Sequence, residues 1–248
     1  MGGSPLLVKR DRMSTILRDV LEQISSCKSR DQEPVVIFDI DDTLIDCRHR
    51  KLKVFKDFVS QASISEQFPI ESELIQNARL DQMRYRVHEC MEVLKIDNEI
   101  FSKALFDFWL STYFTNQYLA HDQPFPGAID FVESCHQEAK IIYLTGRDLP
   151  GMGEGTKASL KNHGFPWDTE RTKLMMKEDP QEADFEFKTN ALKKIAQLGT
   201  VVASFENELK NLNQMAETFP EALMYWRDTL YLPDPPPPHH SVRTMKSF

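Results

Sequence analysis

The chain has 248 residues, of which 41% are hydrophobic, 10% aromatic and 27% charged; this is a globular composition, far from that of disordered or fibrous chains. Its length allows one large α/β domain, or a domain carrying a smaller insertion. With 38 acidic against 30 basic residues the formal charge is -8, which argues against a general electrostatic role on nucleic acid or an anionic membrane.

At the N-terminus, Leu6-Leu7-Val8 is too short for the apolar region of a signal peptide and runs at once into Lys9, Arg10, Asp11 and Arg12. No stretch approaches the roughly 20 apolar residues of a membrane helix, so neither secretion nor membrane insertion is expected. Cys27, Cys47, Cys90 and Cys135 are far apart and form no Cys-x-x-Cys pair, so neither a zinc site nor a disulfide framework is signalled. A reduced, cytoplasmic setting is the expectation.

Residues 13–27 place Ile16, Leu17, Val20, Leu21 and Ile24 at helical spacing, as an amphipathic helix does. The polar run 28–34 ends it. Val35-Val36-Ile37-Phe38 is then a short apolar run rich in β-branched residues, the pattern of a strand buried on both faces of a parallel sheet. Asp39 follows at the strand end. Residues 48–120 read as a helical insertion with its own small core: Leu80, Met83, Val87, Cys90 and Leu94 step by three and four, as do Phe101, Leu105, Phe108 and Thr112.

From Pro124-Phe125-Pro126-Gly127 the pattern becomes alternating helix and strand. Helices are predicted at 128–138, 156–162, 189–198 and 208–218, with strands at 140–144, 173–176, 200–205 and 222–225. Such alternation implies a Rossmann-like α/β core, a mostly parallel sheet with helices on both faces, whose ligands gather at the carboxyl ends of the strands. The predicted division is an N-terminal helix and linker (1–33), a discontinuous core (34–47 and 123–232), an all-helical cap (48–122) and a proline-rich tail (233–248). Pro235 to Pro238 predict an extended polyproline segment, and His239-His240 beyond it is expected to be solvated. Gly151-Met152-Gly153-Glu154-Gly155-Thr156 misses the Gly-x-Gly-x-x-Gly spacing and puts Glu154 where an anion would sit; it is expected to be a flexible loop leading into a helix.

Four short elements carry chemistry. Asp39 and Asp41 in Asp39-Ile40-Asp41-Asp42-Thr43 present two carboxylates directly after a buried run, a placement that is unfavourable without a cation. Thr145-Gly146-Arg147 ends a second apolar run, Ile141 to Leu144. Lys188 precedes a helical pattern, and Glu206-Asn207 ends a third apolar run, Val201 to Phe205. Each is ambiguous alone, since turns and helix starts favour the same residue types.

Together and in this order the four elements resemble the haloacid dehalogenase-like superfamily, over residues 34–226. The long interval between Asp39 and Thr145 is what the superfamily shows when a helical cap follows the first motif, and Pro124 to Ala128 resembles the return to the core. The resemblance implies a phosphatase. Asp39 matches the nucleophile, Asp41 the general acid and base, Thr145 and the Gly146 amide the phosphate-binding groups, and Lys188 the neutralising cation. It implies Mg2+ held by the Asp39 carboxylate, the Asp41 main-chain carbonyl and Glu206. The fourth motif departs from the usual acidic pair: Asn207 follows Glu206, and Asn211 stands where a second acid could be, with Glu208 and Asn207 as weaker ligands.

Two carboxylates this close are expected not to ionise together freely, leaving one to serve as an acid. A helical lid over them favours small phosphorylated metabolites over proteins or nucleic acid. Arg48, Arg50, Arg84, Arg86 and His88 are the lid cations available to grip an anion. The alternatives are a phosphomutase and a non-catalytic binding module on the same scaffold.

Overall fold

A computed structural model describes residues 14–248; the expectations drawn from Leu6-Leu7-Val8 and Met13 lie outside them. Helix α1 (Thr15–Ser29) is capped by the Ser14 hydroxyl, which accepts the Leu17 amide. Strand β1 (Pro34–Phe38) is buried throughout. Its side chains alternate: Val36 and Phe38 enter one core layer with α1, whereas Val35 and Ile37 enter the layer on the opposite face. Phe38 stacks on Phe205 at 4.8 Å and meets Phe131 edge-on at 6.2 Å, so the strand leading to Asp39 is packed by aromatic rings in the layer it shares with α1.

Beyond the first motif, the short strands β2 (Ile45–Asp46) and β3 (Gln123–Pro124) pair antiparallel and bracket the helical insertion. The insertion holds α2 (Arg48–Val59), α3 (Ala62–Gln67), α4 (Pro69–Gln76), α5 (Val87–Leu94) and α6 (Glu99–Thr112) around a separate apolar core. Val54, Phe55 and Phe58 from α2 meet Phe101 and Leu105 from α6 there. The Arg-rich face of α2 is not solvated, because Arg50 and Lys51 are buried with that apolar stripe.

The rest of the chain supplies α7 (Ala128–His136), β4 (Lys140–Asp148), α8 (Leu149–His163), β5 (Thr172–Lys177), α9 (Asp184–Ile195), β6 (Thr200–Glu206), α10 (Leu209–Thr218), β7 (Leu223–Arg227) and β8 (Val242–Met245). With β1 these strands build a six-stranded sheet in the order β5-β4-β1-β6-β7-β8, every pairing parallel. β1 lies between β4 and β6, so Asp39, the end of β4 and Glu206 come to one carboxyl edge. No helix among the described residues is long and apolar enough to cross a membrane.

Two expectations are corrected. The glycine-rich segment is helical from Leu149, with the Asp148 carboxylate capping the Gly151 amide at 2.7 Å. Its glycines serve close approach: a Cβ at Gly155 would lie 2.7 Å from the Asn116 carbonyl oxygen, so α8 packs directly on the segment leaving the cap. The tail is also not only extended. Val242–Met245 forms β8 against β7, with Met245 buried, because the proline run 235–238 is pinned on α10, where the Pro237 carbonyl accepts from Asn213. His239 hydrogen-bonds Ser241 and, through its amide, Asn213.

Phe248 closes this edge, 5.2 Å from Phe131 between ring centres. Gly127, at φ +82°, lies beneath it, and a Cβ there would sit 3.3 Å from Phe248 as well as straining the backbone. Phe248→Ala is expected to cost about 1–2 kcal/mol, read as a lower urea midpoint at unchanged slope.

Candidate active site

The first motif is a tight turn. The Ile40 carbonyl accepts the amides of Leu44 and Ile45, both at 2.9 Å, and Asp42 takes a left-handed φ of 53°, a conformation Asp tolerates better than most residues. Thr43, fully buried, donates to the Asn207 side-chain oxygen at 3.2 Å and so ties the first motif to the fourth. The Asp39 amide donates to the Phe205 carbonyl at 3.0 Å. These bonds set Asp39 and Glu206 side by side at two adjacent strand ends.

Lys188 reaches both. It lies one turn into α9 on the stripe formed with Ala191, Leu192 and Ile195, and its Nζ is 2.6 Å from Asp39 Oδ1 and 2.7 Å from Glu206 Oε2. All three are buried. Burial pushes the Asp39 carboxyl up to about 7, with the Glu206 charge adding to the rise and Lys188 opposing it. For Lys188 burial works against the ammonium, but the charges of Asp39 and Glu206 outweigh it and hold the proton more tightly than usual. Glu206 is raised by burial too, against the pull of Lys188.

Asp41 is in a different field. Its carboxylate receives Arg147 through Nε at 2.7 Å and Nη2 at 2.8 Å, and also Arg50 Nη2. Burial alone would raise its pKa, yet the charges of Arg147 and Arg50 outweigh that and hold the carboxyl well below the usual range. The two carboxylates are thus held in opposite directions, Asp39 raised and Asp41 lowered, and for Asp41, the residue expected to serve as the acid, this is opposite to the direction an acid needs. Behind Asp41, fully buried Asp122 lies 3.0 Å from Arg50 Nε and 2.7 Å from Arg147 Nη2. Arg50 belongs to the cap, Arg147 to the core, and Asp122 to the link that leads from the cap into β3.

A cleft of about 580 Å³ opens over these groups and is lined by Asp39, Asp41, Gly146, Arg147, Lys188 and Glu206 from the core side. Thr145 is fully buried and does not line it; its hydroxyl accepts the Arg147 amide at 3.3 Å. Of the five lid cations only Arg50 lines the cleft. Arg48 pairs with Asp46, Arg84 turns to the carbonyls of Asp81 and Met83, and Arg86 and His88 are exposed. Lys177, which sequence reasoning did not single out, also lines the cleft, its Nζ 2.7 Å from Asp184.

Among the described residues, no group of three or more His, Cys, Asp or Glu has the geometry of a metal cluster. The donors at the strand end are nevertheless oxygen-only, which fits a hard divalent cation. Among the described residues, Lys188 takes only one Asp39 oxygen, and the Asp41 carbonyl accepts no backbone hydrogen bond. Glu206 has both oxygens engaged, Oε2 by Lys188 and Oε1 by the Glu208 amide at 3.0 Å. Asp39 and the Asp41 carbonyl therefore have capacity left for such a cation, whereas Glu206 has none to spare.

No protein-family model and no curated protein sequence matches the chain. Solved structures do. One is a Burkholderia xenovorans protein described as a haloacid dehalogenase-like hydrolase, at 13% identity and TM-score 0.51, covering 87% of this chain and 93% of that one. Another is a haloacid dehalogenase-superfamily hydrolase of subfamily IA from Geobacter sulfurreducens, at 10% identity and TM-score 0.50, covering 87% and 92%. A class C acid phosphatase from Bacillus anthracis aligns at 16% identity and TM-score 0.45 over 79% of this chain, which spans 61% of that protein's length. At the identities of the first two the likeness is one of fold, and the chain has the haloacid dehalogenase-like fold with a helical cap.

Proposed function

We propose that the chain is a magnesium-dependent phosphatase that hydrolyses a small phosphate monoester by way of an aspartyl-phosphate on Asp39. The observation that carries this reading is the buried Lys188 ammonium shared by Asp39 and Glu206 at the carboxyl edge of the sheet, 2.6 and 2.7 Å away. A buried carboxylate pair with one cation is costly as scaffolding, and it suits a reaction governed by positioning and charge.

In the proposed cycle the ionised Asp39 carboxylate bonds phosphorus as the ester P–O bond breaks, and the leaving alcohol oxygen takes its proton from Asp41 in its protonated form. Water then attacks the aspartyl-phosphate, and free phosphate leaves. Lys188 offsets charge on Asp39 and the phosphoryl group, and Gly146 lines the same cleft. Thr145, behind the cleft wall, would need its turn to shift before its hydroxyl reached a phosphate. Asp41 takes the proton from the attacking water. To donate one to the leaving oxygen it must first be released by Arg147 and Arg50, and because Arg50 rides on the cap, cap movement is the natural release. When bound, Mg2+ supplies neutralisation of phosphoryl charge.

The test is a panel of phosphorylated metabolites with Mg2+. Phosphate is expected in stoichiometric excess over enzyme, which separates hydrolysis from mutase chemistry. Chelation is expected to reduce turnover at least about a hundredfold, with recovery on adding Mg2+ and not Ca2+, since a larger and more flexible coordination shell does not meet the same demand. Full activity in chelator would remove the metal from the proposal.

A further inference from the structure

We propose that the leaving group of this ester is a flat, mostly apolar alcohol, aryl or arylalkyl in character, received by the cap wall of the cleft. The inference rests on the phosphatase reading and adds the substrate class. Helix α6 carries two apolar faces. Phe101, Leu105 and Phe108 pack in the cap core. The second face, Phe106, Trp109 and Leu110, continues past the helix end into Tyr113 and Phe114: Trp109 and Tyr113 lean half-buried on the cap core, while Phe106 is 44%, Leu110 54% and Phe114 43% exposed.

That face is already assembled. Trp109 lies 5.0 Å from Tyr113 and 5.2 Å from Phe114, the latter nearly perpendicular, and 5.8 Å from Phe106 in a stack. Ring plates of this kind lose little entropy when a flat ligand settles on them. Trp109, Leu110, Tyr113 and Phe114 line the same cleft as Asp39 and Lys188, so an ester with its phosphate on the core floor has its alcohol facing this wall.

The charged groups of the wall are committed elsewhere. Arg50 is held by Asp41 and Asp122, and Lys51 donates to the carbonyls of Arg84 and Tyr85. Arg50 also lies 4.2 Å over the Tyr113 ring, which fixes that ring's orientation. A polyol would have to desolvate several hydroxyls against mostly apolar surface.

The experiment compares kcat/KM for 2-phenylethyl phosphate and glycerol 3-phosphate, both esters of primary alcohols, with acetyl phosphate as a check on phosphatase activity itself. The aromatic ester is expected to be preferred by about tenfold or more. Trp109→Ala is expected to bring the ratio to within about twofold, and Leu110→Gln, at an exposed position, to lower it part of the way with no loss of folding. Equal or reversed preference in an enzyme that turns over acetyl phosphate overturns the aromatic assignment and leaves the phosphatase reading standing. If acetyl phosphate is not turned over, the phosphatase reading fails. Calorimetric binding of the same two esters then decides the wall: about tenfold tighter binding of the aromatic ester supports it, and equal binding overturns it. A concentration-dependent dimer abolished by Leu110→Gln, with no ester preference, would assign the face to a second copy instead.

Discussion

Asp39→Asn is expected to lower turnover of any accepted phosphate monoester by on the order of 10⁴-fold to 10⁶-fold, the range seen when a covalent nucleophile is removed. The amide is nearly isosteric but a poor nucleophile, and it gives up the charge that Lys188 neutralises. Folding should survive. Asp39 is raised to about 7 because burial and the Glu206 charge disfavour its ionised form, so a neutral side chain there relieves an unfavourable contact, while Glu206 still holds Lys188 at 2.7 Å. The expected signature is a melting temperature within a few degrees of the parent and essentially no phosphate release, with equilibrium binding of the ester retained. A variant keeping even a tenth of parental turnover would exclude Asp39 as the nucleophile. A parent inert across the whole panel would favour a binding module on this fold.

Asp122→Ala should be the most destabilising single change at the junction of cap and core. Asp122 and its partners Arg50 and Arg147 are all buried, with side-chain exposures of 0%, 1% and 2%. Removing the carboxylate leaves two guanidinium groups with only Asp41 between them, and breaking a buried ion pair in this way typically costs about 3–5 kcal/mol. For a chain of this size that is a fall of roughly 10 °C in melting temperature. Because the cost comes mainly from the stranded charge, adding Arg50→Met should return part of it; bidentate Arg147 would still satisfy Asp41. The double-mutant cycle measures this coupling. Strictly additive losses, or a loss below about 1 kcal/mol for Asp122→Ala, would mean that the network does not join cap to core.

Much of the molecule is legible in local pattern. The apolar run 35–38 shows a strand buried on both faces, and the alternation after Pro124 shows the parallel α/β core, because strand and helix periods are written into neighbouring residues. The stepping of Phe101, Leu105 and Phe108 likewise announces a helical insertion. Even two buried cations left a trace: Lys188 shares a period with Ala191, Leu192 and Ile195, and Arg50 with Val54 and Phe58. A charge on an apolar stripe is the signal that distinguishes them from the exposed Arg86.

What no local pattern contains is which distant groups meet. Asp122 stands in a polar stretch with nothing to mark it, and its meaning arises only when Arg50, on a cap helix, and Arg147, at the end of β4, converge on it. That Arg147 and Arg50 hold Asp41 ionised while burial raises Asp39 follows from desolvation and fields that exist only after folding. The glycine-rich segment looks like a loop by propensity, yet tertiary packing against Asn116 makes it helix. Residues 242–245 become a strand because β7 offers an unpaired edge, an invitation made by the sheet and not by the tail. By itself the sequence determined the elements, the three strand-end motifs and the helical Lys188, since all rest on neighbours in the chain. The tertiary structure decided the charge state of the aspartates, the engagement of Glu206 and the aromatic wall above them, because each depends on side chains from separate elements sharing one desolvated space.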